Sequence, residues 1–326
     1  MSTEGFRNIF GLSPVTTGSL LPAVKSNICC TELENFIQNF EAISPSTPEA
    51  RVGEIEIYGK SMFPDRMAGG DHSIYLDFEK RYDLARRIDS ARDAGQDAVA
   101  AKLAEIRNRV GILVADVSGH RSTDALVAAM LHQAFLTGVL YELNLYGEVT
   151  TGLFEILNTR FFNSTSVEKY ITFVYGEVSA AGRFRFVSAG SPAPLIFSAE
   201  FDRLVSVASD RLVSVVPLGM FPSESDIDQS RNLESFTYKP RYTVNEVNLM
   251  SPGDILLLLT DGVADHQQED GRTFVPDPLE DTLRSVKDLS VKDIFDDVVE
   301  SAKALSLPDD DMSVVVVKRT ETERDW

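Results

Sequence analysis

Between Val110 and Val117 the chain is almost continuously apolar, Val-Gly-Ile-Leu-Val-Ala-Asp-Val, with one carboxylate, Asp116, set into its end. Such a run reads as a strand buried on both faces, so the domain that holds it has a layer above and a layer below. Other strand patterns surround it. Residues 54–58 alternate, 73–78 alternate after the Gly69-Gly70 turn, and 170–178 joins 184–188 through Ala180-Ala181-Gly182 in the manner of a hairpin. Residues 244–249, 255–260 and 313–317 supply further strands, and the repeated Asp-Arg-Leu-Val-Ser-Val at 202–207 and 210–215 predicts two short ones. Helical spacing covers 122–143, 148–162, 279–286 and 291–304, with Ser122, Thr123 or Asp124 placed to cap the first. Paired helices between groups of strands, without strict βαβ alternation, predict an α+β fold on antiparallel sheets.

Three regions depart from this pattern. Residues 1–45 mix Gly, Ser, Pro and Thr with short apolar pieces. Only 31–43 is helical in spacing, through Leu33, Phe36, Ile37 and Phe40, before Ser-Pro-Ser-Thr-Pro at 44–48 breaks the chain. This reads as a leader or docking segment ahead of a domain at 46–320, with a short tail at 321–326. Pairing of two copies through 31–43, a homodimer, is one expectation. Within the domain, 80–109 interrupts the strands with eight basic and five acidic residues and predicts a helical hairpin turning near Gly95. Its charge is read either as a solvated helical face or as a docking arm for an acidic partner.

Among 326 residues, 43% are hydrophobic, enough to bury a core, while 50 acidic against 31 basic residues leave a net charge of −19. That balance argues against binding to nucleic acid through phosphates. Glu4, Arg7 and Asn8 break any signal-peptide core, and 125–141, interrupted by His132, Gln133 and Thr137, reads as a buried helix and not a membrane span. The only two cysteines, Cys29 and Cys30, are adjacent and belong to a reduced, cytoplasmic setting. No phosphate-binding glycine loop follows any strand.

Aspartates recur at strand ends and glycine turns. Asp71 follows Gly69-Gly70, Asp116 ends the apolar run, Asp261 ends 255–260, and Asp310 and Asp311 stand just before the last strand. Each alone is ordinary turn chemistry. Converging from several strands they would repel one another, and two Mg²⁺ or Mn²⁺ ions would relieve that repulsion.

Gly69-Gly70-Asp71, Ala115-Asp116-Val117-Ser118-Gly119-His120, Ser188-Ala189-Gly190, Pro217-Leu218-Gly219-Met220, Gly253-Asp254-Ile255 through Thr260-Asp261-Gly262-Val263, and Asp310-Asp311-Met312-Ser313 occur in this order. Order and composition resemble the SpoIIE-like serine phosphatases, a bacterial branch of the metal-dependent phosphatases related to protein phosphatase 2C. The resemblance spans roughly residues 50 to 320. It implies an αββα sandwich of two antiparallel sheets flanked by helices. It also implies Mn²⁺- or Mg²⁺-dependent hydrolysis of phosphoserine or phosphothreonine by a water activated between two ions. It assigns Asp71, Asp116 and the Val117 carbonyl to the metals, with Asp261 and Asp310 completing the site; Asp311 is near enough that a one-residue shift stays open.

Four departures bear on substrate contacts. Arg121 replaces a glycine and reads either as a phosphate ligand through its planar fork or as a surface residue at a helix start. His72 and Asp77 stand in an unusual segment after Asp71, Ser191 replaces a histidine, and the 80–109 insert is extra. His120 reads as a general acid or as a turn residue, and Lys60 and Arg66 as phosphate attractors or solvated loop charges. By analogy the substrate is a phosphorylated regulatory protein of a partner-switching pathway, such as an anti-sigma-factor antagonist. The alternative is a phosphoprotein-binding scaffold without turnover.

Overall fold

The computed structural model describes the chain from Glu49 to Thr320, apart from 64–68, 120–123, 163–168, 206, 208–211, 232–236, 250, 268–270, 307 and 309. The leader, with the helix expected at 31–43 and the two cysteines, Arg66, His120, Arg121 and the tail lie outside the described residues. Contacts divide the chain at Ile43/Ser44, and the following description concerns Ser44–Trp326.

Two sheets carry the fold. The first runs β1 (Glu49–Val52), β2 (Ile55–Met62), β12 (Met312–Arg319), β11 (Ile255–Leu259), β7 (Leu195–Ser198) and β8 (Arg203–Val205). The second runs β10 (Asn245–Asn248), β6 (Arg183–Ala189), β5 (Ile171–Ser179), β4 (Arg109–Val117) and β3 (His72–Asp77). Neighbours along both are antiparallel; β9 (Ser214–Val215) joins β6 in parallel.

Strand alternation assigns each side chain to a layer. Ile55, Ile57, Leu256, Leu258, Val315 and Val317 of the first sheet meet Ile112, Val114, Val174, Val178, Phe184 and Phe186 of the second in a shared central core. The intervening residues Ile255, Leu257, Leu259, Val314 and Val316 face outward. They are covered by α8 (Asp277–Val286) and α9 (Val291–Leu305) through Leu279, Leu283, Ile294, Phe295 and Val298. On the far face of the second sheet lie α4 (Asp124–Leu145) and α5 (Thr151–Phe161). There Phe135 meets Tyr175 edge-on with centroids 5.4 Å apart, and Phe154 stacks on Phe173 at 5.0 Å. The result is helix, sheet, sheet, helix, the expected αββα sandwich, and it explains why β4 is apolar on both sides.

The helix expected at 125–141 extends over Asp124–Leu145 and is buried on one side only. Leu131, Phe135, Val139 and Leu143 face the sheet, while Leu126, Met130, Leu140 and Tyr141 are exposed. It is also the one described helix long and apolar enough to cross a bilayer. The insert forms the expected hairpin, α2 (Leu84–Asp93) and α3 (Asp97–Ile106), with Gly95 at φ +70°, preceded by a short α1 (Phe78–Tyr82). Five of its eight basic side chains, Lys80, Arg92, Lys102, Arg107 and Arg109, pair with carboxylates of this chain, which favours the solvated-face reading over the docking arm. The two Asp-Arg-Leu-Val-Ser-Val segments each contribute one of the two short strands expected of them. Their strands β8 and β9 belong to different sheets. Short helices α6 (Asp226–Arg231) and α7 (Asp261–Ala264) complete the order.

Phe154 is 1% exposed and packs on Phe173, Tyr175 and Tyr242. Phe154→Ala is expected to lower unfolding stability by about 3–5 kcal/mol in urea titrations, the usual cost of a large core cavity. Phe201→Ala, at a position 62% exposed, is expected to stay within about 0.5 kcal/mol of wild type.

Candidate active site

Four strand ends meet at one edge of the sandwich. Asp71 immediately precedes β3, and Asp116 is the penultimate residue of β4. Asp261 opens α7 two residues beyond β11, and Asp310 and Asp311 lead into β12. β3 and β4 are neighbours in the second sheet, β11 and β12 in the first, so the acids come from both layers.

Hydrogen bonds draw these ends together. Thr260 Oγ1 donates to Asp71 Oδ2 at 2.8 Å and accepts from Ser313 N–H at 2.8 Å, bridging the two sheets. Gly70 N–H donates to Asp311 Oδ2 at 2.8 Å, a second bridge. Gly262 N–H donates to Asp261 Oδ1 at 2.9 Å, and Asp311 N–H to Asp310 Oδ1 at 2.8 Å. The glycines of the motifs are required by close approach. A Cβ on Gly69 would overlap the Asp311 carboxylate, and one on Gly262 would overlap the Asp311 carbonyl. A Cβ on Gly70 would lie 2.7 Å from the Val117 carbonyl oxygen and 3.4 Å from Asp116 Oδ1. Asp71, Asp116, the Val117 carbonyl, Asp261, Asp310 and Asp311 are thus brought together.

The electrostatics follow from that crowding. Burial, with Asp116 next in weight, holds the Asp71 carboxyl well above the usual carboxylate range. Asp116 is pushed up to about 7 by burial and then by the charges of Asp261, Asp310 and Asp311. Asp261 is raised by burial and by Asp310. Among the described residues, no three His, Cys, Asp or Glu side chains surround a common point as metal ligands; Asp71, Asp261, Asp310 and Asp311 are engaged by the hydrogen bonds above. The donor chemistry nevertheless fits a hard divalent cation: oxygen atoms only, from acids whose mutual repulsion a cation relieves. A cavity of about 460 Å³, lined by Asp261, Asp265, His266, Ser306 and Asp310, opens beside them.

Other residues fall differently from expectation. His120 and Arg121 lie outside the described residues, so neither reading of either is decided. His72 points away from the acids. Its Nε2 stands 2.7 Å from His132 Nδ1 in a buried pair that joins β3 to α4. Desolvation holds the two rings neutral, His72 down to about 3 and His132 to about 4. Thr260 carries the bridge between sheets; it stands in a family motif, but nothing in the sequence shows that its hydroxyl spans the two sheets.

Thr260→Val keeps the shape and deletes the bridging hydroxyl, leaving Ser313 N–H and an Asp71 oxygen buried without it. Urea unfolding is expected to show a loss of about 1–3 kcal/mol, with Thr260→Ser close to wild type. Equal stability of Thr260→Val and wild type would remove the bridge from this account.

The sequence family described as Stage II sporulation protein E (SpoIIE) matches residues 107–320. No match was found among curated proteins. Among solved structures, the SiaA-PP2C domain of Pseudomonas aeruginosa is similar at 17% identity and TM-score 0.60, over 92% of this chain and 100% of that one. The RsbU and RsbW domains of Rv1364c from Mycobacterium tuberculosis align at 20% identity and TM-score 0.58, over 84% of this chain; the chain spans 63% of that protein's length. RsbX, solved in complex with magnesium, aligns at 14% identity and TM-score 0.50, over 83% of this chain and 98% of that one. At these identities the structural likeness establishes the fold, that of PP2C-type phosphatases. The family match covers about two-thirds of the sequence, and the chain belongs to the SpoIIE family.

Proposed function

We propose that this chain is a Mn²⁺- or Mg²⁺-dependent phosphatase acting on phosphoserine or phosphothreonine of a regulatory protein. The observation that carries the reading is the convergence of Asp71, Asp116, Asp261, Asp310 and Asp311 from four strand ends beside an open cavity. In a chain of net charge −19, such a cluster repels a phosphoryl group, so it serves phosphate chemistry only with cations in place. The five acids and the Val117 carbonyl would hold two ions. Bound there, the ions supply an activated water and positive charge opposite the phosphoryl oxygens. The chain's own part is positional. Thr260 orients Asp71, Gly70 N–H orients Asp311, and the glycines let backbone and carboxylates approach without intervening side chains. His120, read as a general acid, and Arg121, read as a phosphate contact, follow directly after the β4 loop.

SpoIIE family membership and the likeness to the RsbU–RsbW protein and RsbX support a partner-switching role, with a substrate such as a phosphorylated anti-sigma-factor antagonist; a cytoplasmic location belongs to the same proposal. Pairing of two copies belongs to the same proposal. A second reading, a scaffold that binds a phosphoprotein without turnover, draws on the hydrogen-bonded state of the acids.

The test is hydrolysis of para-nitrophenyl phosphate and of a phosphoserine peptide by full-length protein, with Mn²⁺ and with chelator. Turnover is expected with Mn²⁺ only. Asp116→Asn and Asp261→Asn are each expected to lower kcat by roughly 100-fold or more, in proteins that still unfold cooperatively. Turnover unaffected by chelator would contradict the reading, and Mn²⁺ binding without turnover on either substrate would favour the scaffold.

A further inference from the structure

Asp124 opens α4, where a carboxylate complements the helix dipole, but its side chain is only 2% exposed. A buried carboxylate is costly without a cation. Lys169 supplies one: its Nζ lies 2.8 Å from Asp124 Oδ1 and also donates to the Ser118 carbonyl oxygen. The route between them passes the motif glycine. Gly119 sits at φ +106°, and a Cβ there would overlap the Lys169 ammonium and come within 2.9 Å of Asp124 Oδ2. The end of β4 and the first residue of α4, six positions apart, are therefore pinned at one point by a lysine about 50 residues further on, just ahead of β5.

The position of that point matters. The β4–β5 ladder ends at Val117 opposite Ile171, and beyond it the pairing continues through Ser118. Ser118 N–H donates to Tyr170 O at 2.9 Å, and Tyr170 N–H donates to Ser118 Oγ at 2.9 Å. Because the peptide unit is planar and trans, a Ser118 N–H aimed at Tyr170 turns the Val117 carbonyl to the opposite side, where Gly70 lies. Lys169 fixes the next carbonyl, that of Ser118, so both peptide units flanking this residue are held.

We infer that Lys169, paired with the buried Asp124, is a positioning residue: a half-buried ionic latch that holds the Ser118 loop so that Asp116 and the Val117 carbonyl keep their place among the acids. This rests on the reading of Asp116 and Val117 as metal ligands under the proposed function.

The test compares full-length wild type, Lys169→Met, Lys169→Arg, Asp124→Ala and the double Asp124→Ala/Lys169→Met. The readouts are thermal unfolding, Mn²⁺ binding by calorimetry, and kcat, KM and half-activating Mn²⁺ with para-nitrophenyl phosphate. Lys169→Met is expected to weaken Mn²⁺ binding about 10-fold, in the range seen when groups that orient metal ligands are removed, with KM little changed. Lys169→Arg should restore most of it. The double variant, which no longer buries the Asp124 carboxylate without its lysine, should unfold at a higher temperature than Lys169→Met yet keep the weakened Mn²⁺ response. That split separates positioning from stability. A double variant that recovers Mn²⁺ binding along with stability, or a Lys169→Met protein with wild-type Mn²⁺ affinity, would overturn the latch. Wild type that binds no Mn²⁺ and turns nothing over would instead remove the metal reading, and the positioning role with it.

Discussion

Repulsion among five carboxylates, confined at one edge of a β-sandwich, is the constraint around which this molecule is arranged. Asp71 and Asp116 are both held above the ordinary carboxylate range, first by burial and then by their neighbours' charges. A fold selected for stability alone would not collect five acids of like charge where two sheets meet. The cost of assembling them is carried by the core, whose layers are apolar on every covered face, and by short bridges such as Thr260 to Asp71 and Gly70 to Asp311.

The topology makes this arrangement possible. Antiparallel pairing of β3 with β4 puts the start of one strand beside the end of the other, so Asp71 and Asp116 become neighbours. The same relation of β11 to β12 brings Asp261 beside Asp310 and Asp311. Packing the two sheets face to face then closes the four ends into one cluster. Where the ladders stop, side chains take over the role of the backbone. Thr260 spans from Asp71 to Ser313, and Lys169 with Asp124 fastens the loop after β4.

Much of this was legible in the sequence because it is local. The apolar run at 110–117 demanded two covering layers, Gly69-Gly70 marked a tight turn, and the order of short motifs carried the family. The ion pairs that neutralise the insert were not legible, since Lys102 finds Glu148 and Arg107 finds Glu79 only through tertiary packing. The half-exposed face of α4 was also hidden, because Leu126, Met130, Leu140 and Tyr141 are as apolar as the buried residues between them. The repeated Asp-Arg-Leu-Val-Ser-Val gave its two short strands, but not their placement: they serve different sheets, because pairing partners and not local pattern decide where a short strand goes. Thr260 stands in a motif and Asp124 at a helix start, Lys169 in neither, and the structural roles of all three arise from contacts 189, 45 and 51 positions away.

Anomalous diffraction at the manganese edge, from crystals of the full chain grown with Mn²⁺, tests the central claim most directly. The account predicts two neighbouring peaks enclosed by Asp71, Asp116, Asp261 and the Asp310–Asp311 pair, one of them against the Val117 carbonyl. Acids still hydrogen-bonded as described here, with no anomalous peak among them at saturating Mn²⁺, would contradict it.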